Sequence, residues 1–386
     1  MKIAMLVAYF YPHTGGTEKY VRDLSLELSK KGHEVTIISN NVPKKAKAKP
    51  VDAIDRVKVI RLPAIDFPYL PIGKPLDLKL IEGMDVVHTH GPAFSFTRSI
   101  PKNIKVPHIL TYHCDTILFD KMGSVNIPKF IVDAYEWIMD IFIRRIIPKA
   151  DMIISTTEAY ASTSPVLKDF AHKIVPIGIH SDAIDAMLKK LNLTPDKKKR
   201  NQIIFLGRLA QNKGIEFLVK AMPKVLEKLP NTQLLICGEG EEKDHMMALI
   251  KQFGIEKSIT FQGTLNFEQL VNNYYTATVF AMPSISRLEA FGIVQLEAMA
   301  CSTAVVCTDI PGPNAVMDAG KSGLLCKPRD ENSLADALIK VLSDPDKAFE
   351  MGRAGRRLVE TKYNWDTIAN QILSIYEEAR RKKAKK

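Results

Sequence analysis

Short apolar runs alternate with amphipathic stretches along almost the whole chain. In the first half the runs fall at 2–8, 34–39, 57–62, 85–90, 108–113, 151–156 and 173–177; in the second, at 202–207, 232–237, 258–262, 278–282 and 303–307. They are rich in Ile, Val and Leu instead of alternating polar with apolar, as strands buried on both faces do in parallel sheets covered by helices. Strand–helix–strand repetition of this kind predicts doubly wound α/β domains. The first unit is typical: a strand ends near Ala8, a loop carries Gly15-Gly16, and a helix puts Tyr20, Val21, Leu24 and Leu28 on one face before Gly32 stops it.

The series breaks between about 178 and 201, where a polar helix-like patch precedes Thr194-Pro195-Asp196-Lys197-Lys198-Lys199-Arg200-Asn201. This reads as a connection between domains. The pattern restarts at Gln202, and a last helical stretch, 365–385, has no strand after it. A length of 386 residues suits two domains, 1–180 and 181–364.

Hydrophobic residues at 46% and charged residues at 25% give a globular profile. The apolar start is too short for a signal peptide, and no run reaches the ~18 apolar residues of a bilayer span. Cys114, Cys237, Cys301, Cys307 and Cys326 are odd in number and form no C-x-x-C pair, which predicts a reducing, cytoplasmic setting without disulfides or zinc. The net charge of +11 is concentrated in Lys44 to Lys49, Lys197 to Arg200 and Arg380 to Lys386. The first two read as solvated loops, and the third can reach anionic lipid. No aromatic residues interleave these runs, so no nucleic-acid partner is expected.

Ligands of open α/β sheets bind at the carboxyl ends of strands. Gly15-Gly16-Thr17-Glu18 opens a helix there, but without the G-x-G-x-x-G spacing of a dinucleotide site. Gly207 to Gly214 places Arg208 and Lys213 in one loop at a helix entrance, a fork and a point charge for phosphate oxygens. In Glu289-Ala290-Phe291-Gly292-Ile293-Val294-Gln295-Leu296-Glu297 two carboxylates lie eight positions apart around a helix start near Gly292. Carboxylates there can accept from sugar hydroxyls, and the free amides of the first turn can face a diphosphate. His113 ends a strand and is weighed as a donor toward a sugar hydroxyl or a developing charge, against a structural role. His13, His88 and His90 are read as structural. Asp344-Pro345-Asp346 is read as a helix stop in preference to a metal pair.

These residues, in this order, resemble the retaining glycosyltransferases of family 4. The resemblance covers nearly the whole chain and is carried by the E-x7-E run Glu289–Glu297, the Gly207-Arg208-Leu209 loop with Lys213, the early Gly15-Gly16-Thr17-Glu18, His88-Thr89-His90, and Ile310-Pro311-Gly312 followed by Gly323-Leu324-Leu325. It implies a GT-B fold: two Rossmann-like domains facing a cleft, with helix 365–386 crossing back to the first. It also implies roles. Gly15, Gly16, Arg208 and Lys213 would meet the donor diphosphate; Phe291, Gly292 and Ile293 the donor sugar; Val294 and Glu297 the nucleotide. Glu289 and His113 would act at the reacting sugar. The donor would be a nucleotide-diphosphate sugar, UDP-linked ahead of GDP-linked, and the acceptor a glycan, lipid or small molecule. Charge stabilisation by Arg208 and Lys213 leads us to expect no metal and no cofactor. The linker and the segment after Ala300 depart from the family's usual pattern, at Pro176-Ile177-Gly178-Ile179-His180 and Cys301-Ser302-Thr303-Ala304. A GT-B phosphorylase or epimerase is disfavoured because nothing marks a pyridoxal lysine and the E-x7-E run suits transferases better; a non-catalytic nucleotide- or sugar-binding protein is the remaining alternative.

The acceptor side is marked only by 127–147, where Phe130, Ile131, Tyr135, Trp137, Ile138, Ile141 and Phe142 mix with Lys129, Arg144 and Arg145. A helix packed in the first domain's core is the favoured reading; a helix lying on an anionic membrane, at its inner face, is the other.

Overall fold

The computed structural model describes residues 1–13, 15–42, 48–65, 72–91, 94–118, 121–122, 125–194, 197–199 and 201–385. Lys44, Lys45 and Lys47 of the first basic run, Pro195, Asp196 and Arg200 of the connection, and Lys386 lie outside the described residues. The chain divides into two compact units: Met1–Gly178 with Trp365–Lys386, and Ile179–Asn364.

In the first unit the apolar runs become β1 (Lys2–Val7), β2 (Glu34–Asn40), β4 (Val57–Leu62), β5 (Val86–Gly91), β6 (His108–Tyr112), β7 (Met152–Ser155) and β8 (Lys173–Ile174), with β3 (Val51–Ile54) added at one edge. The order is β8-β7-β6-β5-β1-β2-β4-β3, parallel except for the β3–β4 pair. Ile3, Ala4, Met5 and Leu6 of β1 are all buried, as a central strand covered on both faces requires. Helix α1 (Gly16–Lys30) buries Tyr20, Val21, Leu24 and Leu28 on the expected face. The run 173–177 pairs only over Lys173–Ile174, with Val175 N–H donating to the Ser155 carbonyl (2.9 Å).

One expectation fails here. Helix α2 (Lys129–Ile146) is not a core helix, because only Ile143 along its length is buried. Phe130 and Trp137 are 72% and 66% exposed, and Ile131, Ile138 and Phe142 are also exposed. Apolar residues cover most of the helix circumference beside a polar stripe of Asp133, Glu136, Asp140 and Arg144, so composition alone could not say which of them the core would use.

In the second unit β9 (Gln202–Leu206), β10 (Gln233–Cys237), β11 (Ile259–Gly263), β12 (Val279–Met282), β13 (Ala304–Thr308) and β14 (Gly323–Cys326) form a parallel sheet in the order β11-β10-β9-β12-β13-β14. Its core joins Ile203 and Phe205 of β9 with Leu218 and Met222 of helix α3 (Ile215–Lys228) and with Val279 and Val306 of the neighbouring strands. The run list did not contain β14. It is four residues long and opens on a glycine whose Cβ would lie 2.1 Å from the Val305 carbonyl oxygen, so only close backbone approach marks it. Helix α4 (Ile293–Ala300) follows β12.

A helix over Glu331–Leu342 ends just before Asp344-Pro345-Asp346, as expected of a helix stop, and the same residues also start the next helix. Helix α5 runs Pro345–Lys362, the Asp344 side chain accepts from Lys347 N–H as its N-cap, and Pro345 takes the first turn. The final helix, α6 (Trp365–Ala384), packs on α1 and β6 within the first unit. Both units are therefore doubly wound parallel α/β sheets, the expected class. All five cysteines are free.

Candidate functional site

The strand order of the second unit reverses between β9 and β12, and the loops leaving their carboxyl ends hold the strongest candidates. The loop after β9 ends in Gly214, whose φ of +65° is left-handed and whose Cβ would fall 2.0 Å from the Pro283 carbonyl oxygen. Glycine at this position lets the two loops touch, backbone to backbone. The Ile285 amide then donates to the Asn212 carbonyl (3.0 Å). This contact brings Lys213 and Glu289 together: the Lys213 ammonium donates to a Glu289 carboxylate oxygen, and Ser284 Oγ donates to the same oxygen at 3.4 Å. The Glu289 side chain is only 12% exposed, so it is not a surface acid.

Phe291 and Gly292 lead into α4. Gly292 has φ +79°, and its Cβ would lie 2.9 Å from Met282 Sδ, so the turn that aims the helix N-terminus needs a glycine. The amides of Ile293 and Val294 stand in the first turn, where no intrahelical acceptor serves them. Gln295, unnoticed in the sequence, is fully buried and locks that turn: its Nε2 donates to the Phe291 carbonyl (2.9 Å) and the Pro313 carbonyl (3.1 Å). Glu297 is buried beside Tyr274, whose phenol is raised well above its ordinary value by burial and then by the Glu297 charge. The Arg208 side chain is 45% exposed and lies 3.8 Å from Glu241.

In the first unit Gly15 is the extended N-cap of α1 and Gly16 its first residue. Glu18, in the first turn, is buried and lies 3.3 Å from His13 Nδ1, so a carboxylate already stands at this helix terminus. His113 follows β6 and is buried against Tyr20, with ring centroids 5.0 Å apart, edge to face. Burial lowers its pKa to about 3, so the ring is neutral and does not bring a positive charge to a developing anion. Its Nε2 lies 3.2 Å from Nδ1 of His90. The segment beyond is anchored by Asp115, which accepts from Tyr112 Oη (2.8 Å) and Ser164 Oγ (2.5 Å), while its amide donates to Tyr160 Oη (2.6 Å). His88 and His90 are buried, with His88 between Tyr376 Oη (2.6 Å) and Thr111 Oγ1 (2.7 Å).

Among the described residues no helix is long and apolar enough to cross a membrane.

The family model for glycosyl transferases group 1 matches residues 189–358, and that for glycosyltransferase family 4 matches residues 14–165. An uncharacterized glycosyltransferase of Methanocaldococcus jannaschii is 28% identical over 98% of both chains. A phosphatidyl-myo-inositol mannosyltransferase of Mycolicibacterium smegmatis is 28% identical over 98% of this chain and 94% of its own. Among solved structures, sucrose-phosphate synthase from Thermosynechococcus elongatus superposes with a TM-score of 0.77 at 25% identity, covering 98% of each chain.

Proposed function

Since this chain belongs to the glycosyltransferases, with family 4 sequence in its first unit and group 1 sequence in its second, we propose that it transfers a hexose or N-acetylhexosamine from a nucleotide-diphosphate sugar with retention of anomeric configuration. The observation that carries the donor half of this reading is the Lys213–Glu289 contact beside the N-terminus of α4. Loss of a nucleoside diphosphate leaves negative charge on phosphate and positive charge on the sugar. Lys213, with Arg208 and the amides of Ile293 and Val294, faces the first; the Glu289 carboxylate accepts from hydroxyls of the second. Phe291, Gly292 and Ile293 line the sugar, and Val294 and Glu297 hold the nucleoside. In the first unit Gly15 and Gly16 let the backbone approach the diphosphate.

We name no residue in these loops as a covalent nucleophile. We therefore favour attack on the same face as the departing phosphate, which takes the acceptor's proton. Preorganised cations take the role a divalent metal would have, so turnover should survive EDTA. A UDP-sugar is the favoured donor, ahead of a GDP-sugar. The deciding assay is nucleoside diphosphate release from UDP-, GDP- and ADP-sugars with EDTA present, compared with Glu289→Ala. Release from one donor, abolished in the variant, supports the transferase reading. Neither release nor thermal stabilisation by any donor favours a non-catalytic binding protein.

A lipid or lipid-linked acceptor is favoured by the outward apolar face of α2. Phe130, Ile131, Trp137, Ile138 and Phe142 are exposed along it. Lys129 stands at its start and Arg144 and Arg145 at its end, in a chain of net charge +11. An aromatic, apolar face flanked by cations suits the interface of an anionic bilayer. Flotation with anionic liposomes, but not with neutral ones, is the expected result; no flotation with either removes this reading.

A further inference from the structure

We infer that Met5 and His90 are positioning residues, which fix the ring of His113 as the Nε2–H tautomer and leave its Nδ1 as a hydrogen-bond acceptor for a substrate hydroxyl. The chain of contacts runs through the centre of the first unit's sheet. Met5 lies on β1, His90 on β5, and His113 just past β6. His90 Nε2 lies 3.4 Å from Met5 Sδ, and His90 Nδ1 lies 3.2 Å from His113 Nε2.

A thioether sulfur has lone pairs and no proton, so it can only accept. The proton in the first contact therefore sits on His90 Nε2. Burial, and then the neighbouring His88 and His113, hold the pKa of His90 well below its ordinary value, so the ring carries that one proton and no other. His90 Nδ1 is then a bare acceptor, and the proton in the second contact belongs to His113 Nε2. His113 is likewise neutral, with its pKa near 3. Its only ring proton is committed to His90, and Nδ1 is left with a lone pair.

The role weighed for His113 from the sequence, a donor to a sugar hydroxyl, is thereby reversed. An imidazole of such low basicity is also a poor general base near neutral pH. What it offers is a fixed acceptor that orients a hydroxyl. The surroundings allow little rearrangement: Tyr20 packs edge-on against both rings, with centroids 5.6 Å from His90 and 5.0 Å from His113. The substrate half of the inference rests on the proposed glycosyl transfer; the tautomer half does not.

The test is nitrogen-15 NMR of the full chain labelled at histidine, at neutral pH and without substrate. Long-range proton–nitrogen correlations should show both His90 and His113 protonated on Nε2 alone. A His113 ring protonated on Nδ1 overturns the inference. Met5→Leu conserves volume while removing the acceptor. It should mix the His90 tautomers and, with them, those of His113; an unchanged pattern removes Met5 from the chain. In kinetics His90→Leu should lower kcat about 10- to 100-fold with little change in donor KM, as loss of an orienting partner does elsewhere. His90→Asn, whose amide oxygen can replace Nδ1 as acceptor, should recover most of that loss. Equal loss in both variants argues for packing alone. Full turnover by His113→Ala, with the expected tautomers in the wild type, refutes the substrate contact and leaves the proton arrangement standing.

Discussion

The Lys213 ammonium and the Glu289 carboxylate are in direct contact across 76 positions of sequence, each on a loop that leaves the carboxyl end of a central strand of the second unit. The pair exists because Gly214 lets its loop lie against Pro283. On the proposed reading, a cation for phosphate and an acceptor for sugar hydroxyls are set in place before any donor arrives, which is where preorganised electrostatics are most effective.

Removing either partner should act on turnover far more than on stability. Glu289→Ala and Lys213→Ala are each expected to lower kcat by about 10²–10³-fold, the range for losing one preorganised charge-stabilising group. Arg208→Ala, at a more exposed side chain, is expected to impair turnover as well. Nucleoside diphosphate release reads all three; wild-type rates in all of them would falsify the donor-site assignment.

Gly214→Ala should separate the two loops. The left-handed backbone and the 2.0 Å approach to Pro283 both oppose a side chain. A loss of about 1–3 kcal/mol in stability, with turnover reduced along with it, is expected from strain of this kind. Thermal denaturation and donor turnover, measured on the same preparation, check it.

The buried histidines should make the fold sensitive to mild acid. Burial lowers His108 to about 4 and His113 to about 3, and puts His88 and His90 well below the ordinary 6.5. As pH falls below 6.5 the unfolded chain's histidines take up protons while these four stay neutral. The unfolded state then binds more protons, so stability falls with falling pH, by up to about 1.4 kcal/mol per pH unit for each such histidine. Urea midpoints between pH 7.5 and 5.5 should decline, and His108→Asn should flatten the slope. A pH-independent midpoint contradicts it.

The apolar face of α2 should be separable from the fold. Trp137→Ser and Phe130→Ser alter exposed side chains, so stability should move by no more than about 0.5 kcal/mol. Flotation with anionic liposomes should nevertheless fall sharply. Undiminished flotation in the double variant assigns the binding to another surface.

The parallel sheets were legible in the chain because strands buried on both faces are largely apolar, as β1, β9, β10, β12 and β13 are. Glycines at 207, 214 and 292 marked turns beside strand ends, and the E-x7-E run and the two cations were visible as residue types at a spacing. Pattern could not show which part of a broad apolar surface would turn inward, and α2 turned Phe130, Trp137 and Phe142 outward. Nor could it show β14, whose pairing depends on a glycine's close approach to β13. Periodicity reports which local face of an element is apolar. Which atoms meet across elements is set by strand order and loop contact. For that reason the Lys213–Glu289 pair, the Gln295 lock under α4 and the proton arrangement from Met5 through His90 to His113 were decided only by the tertiary structure.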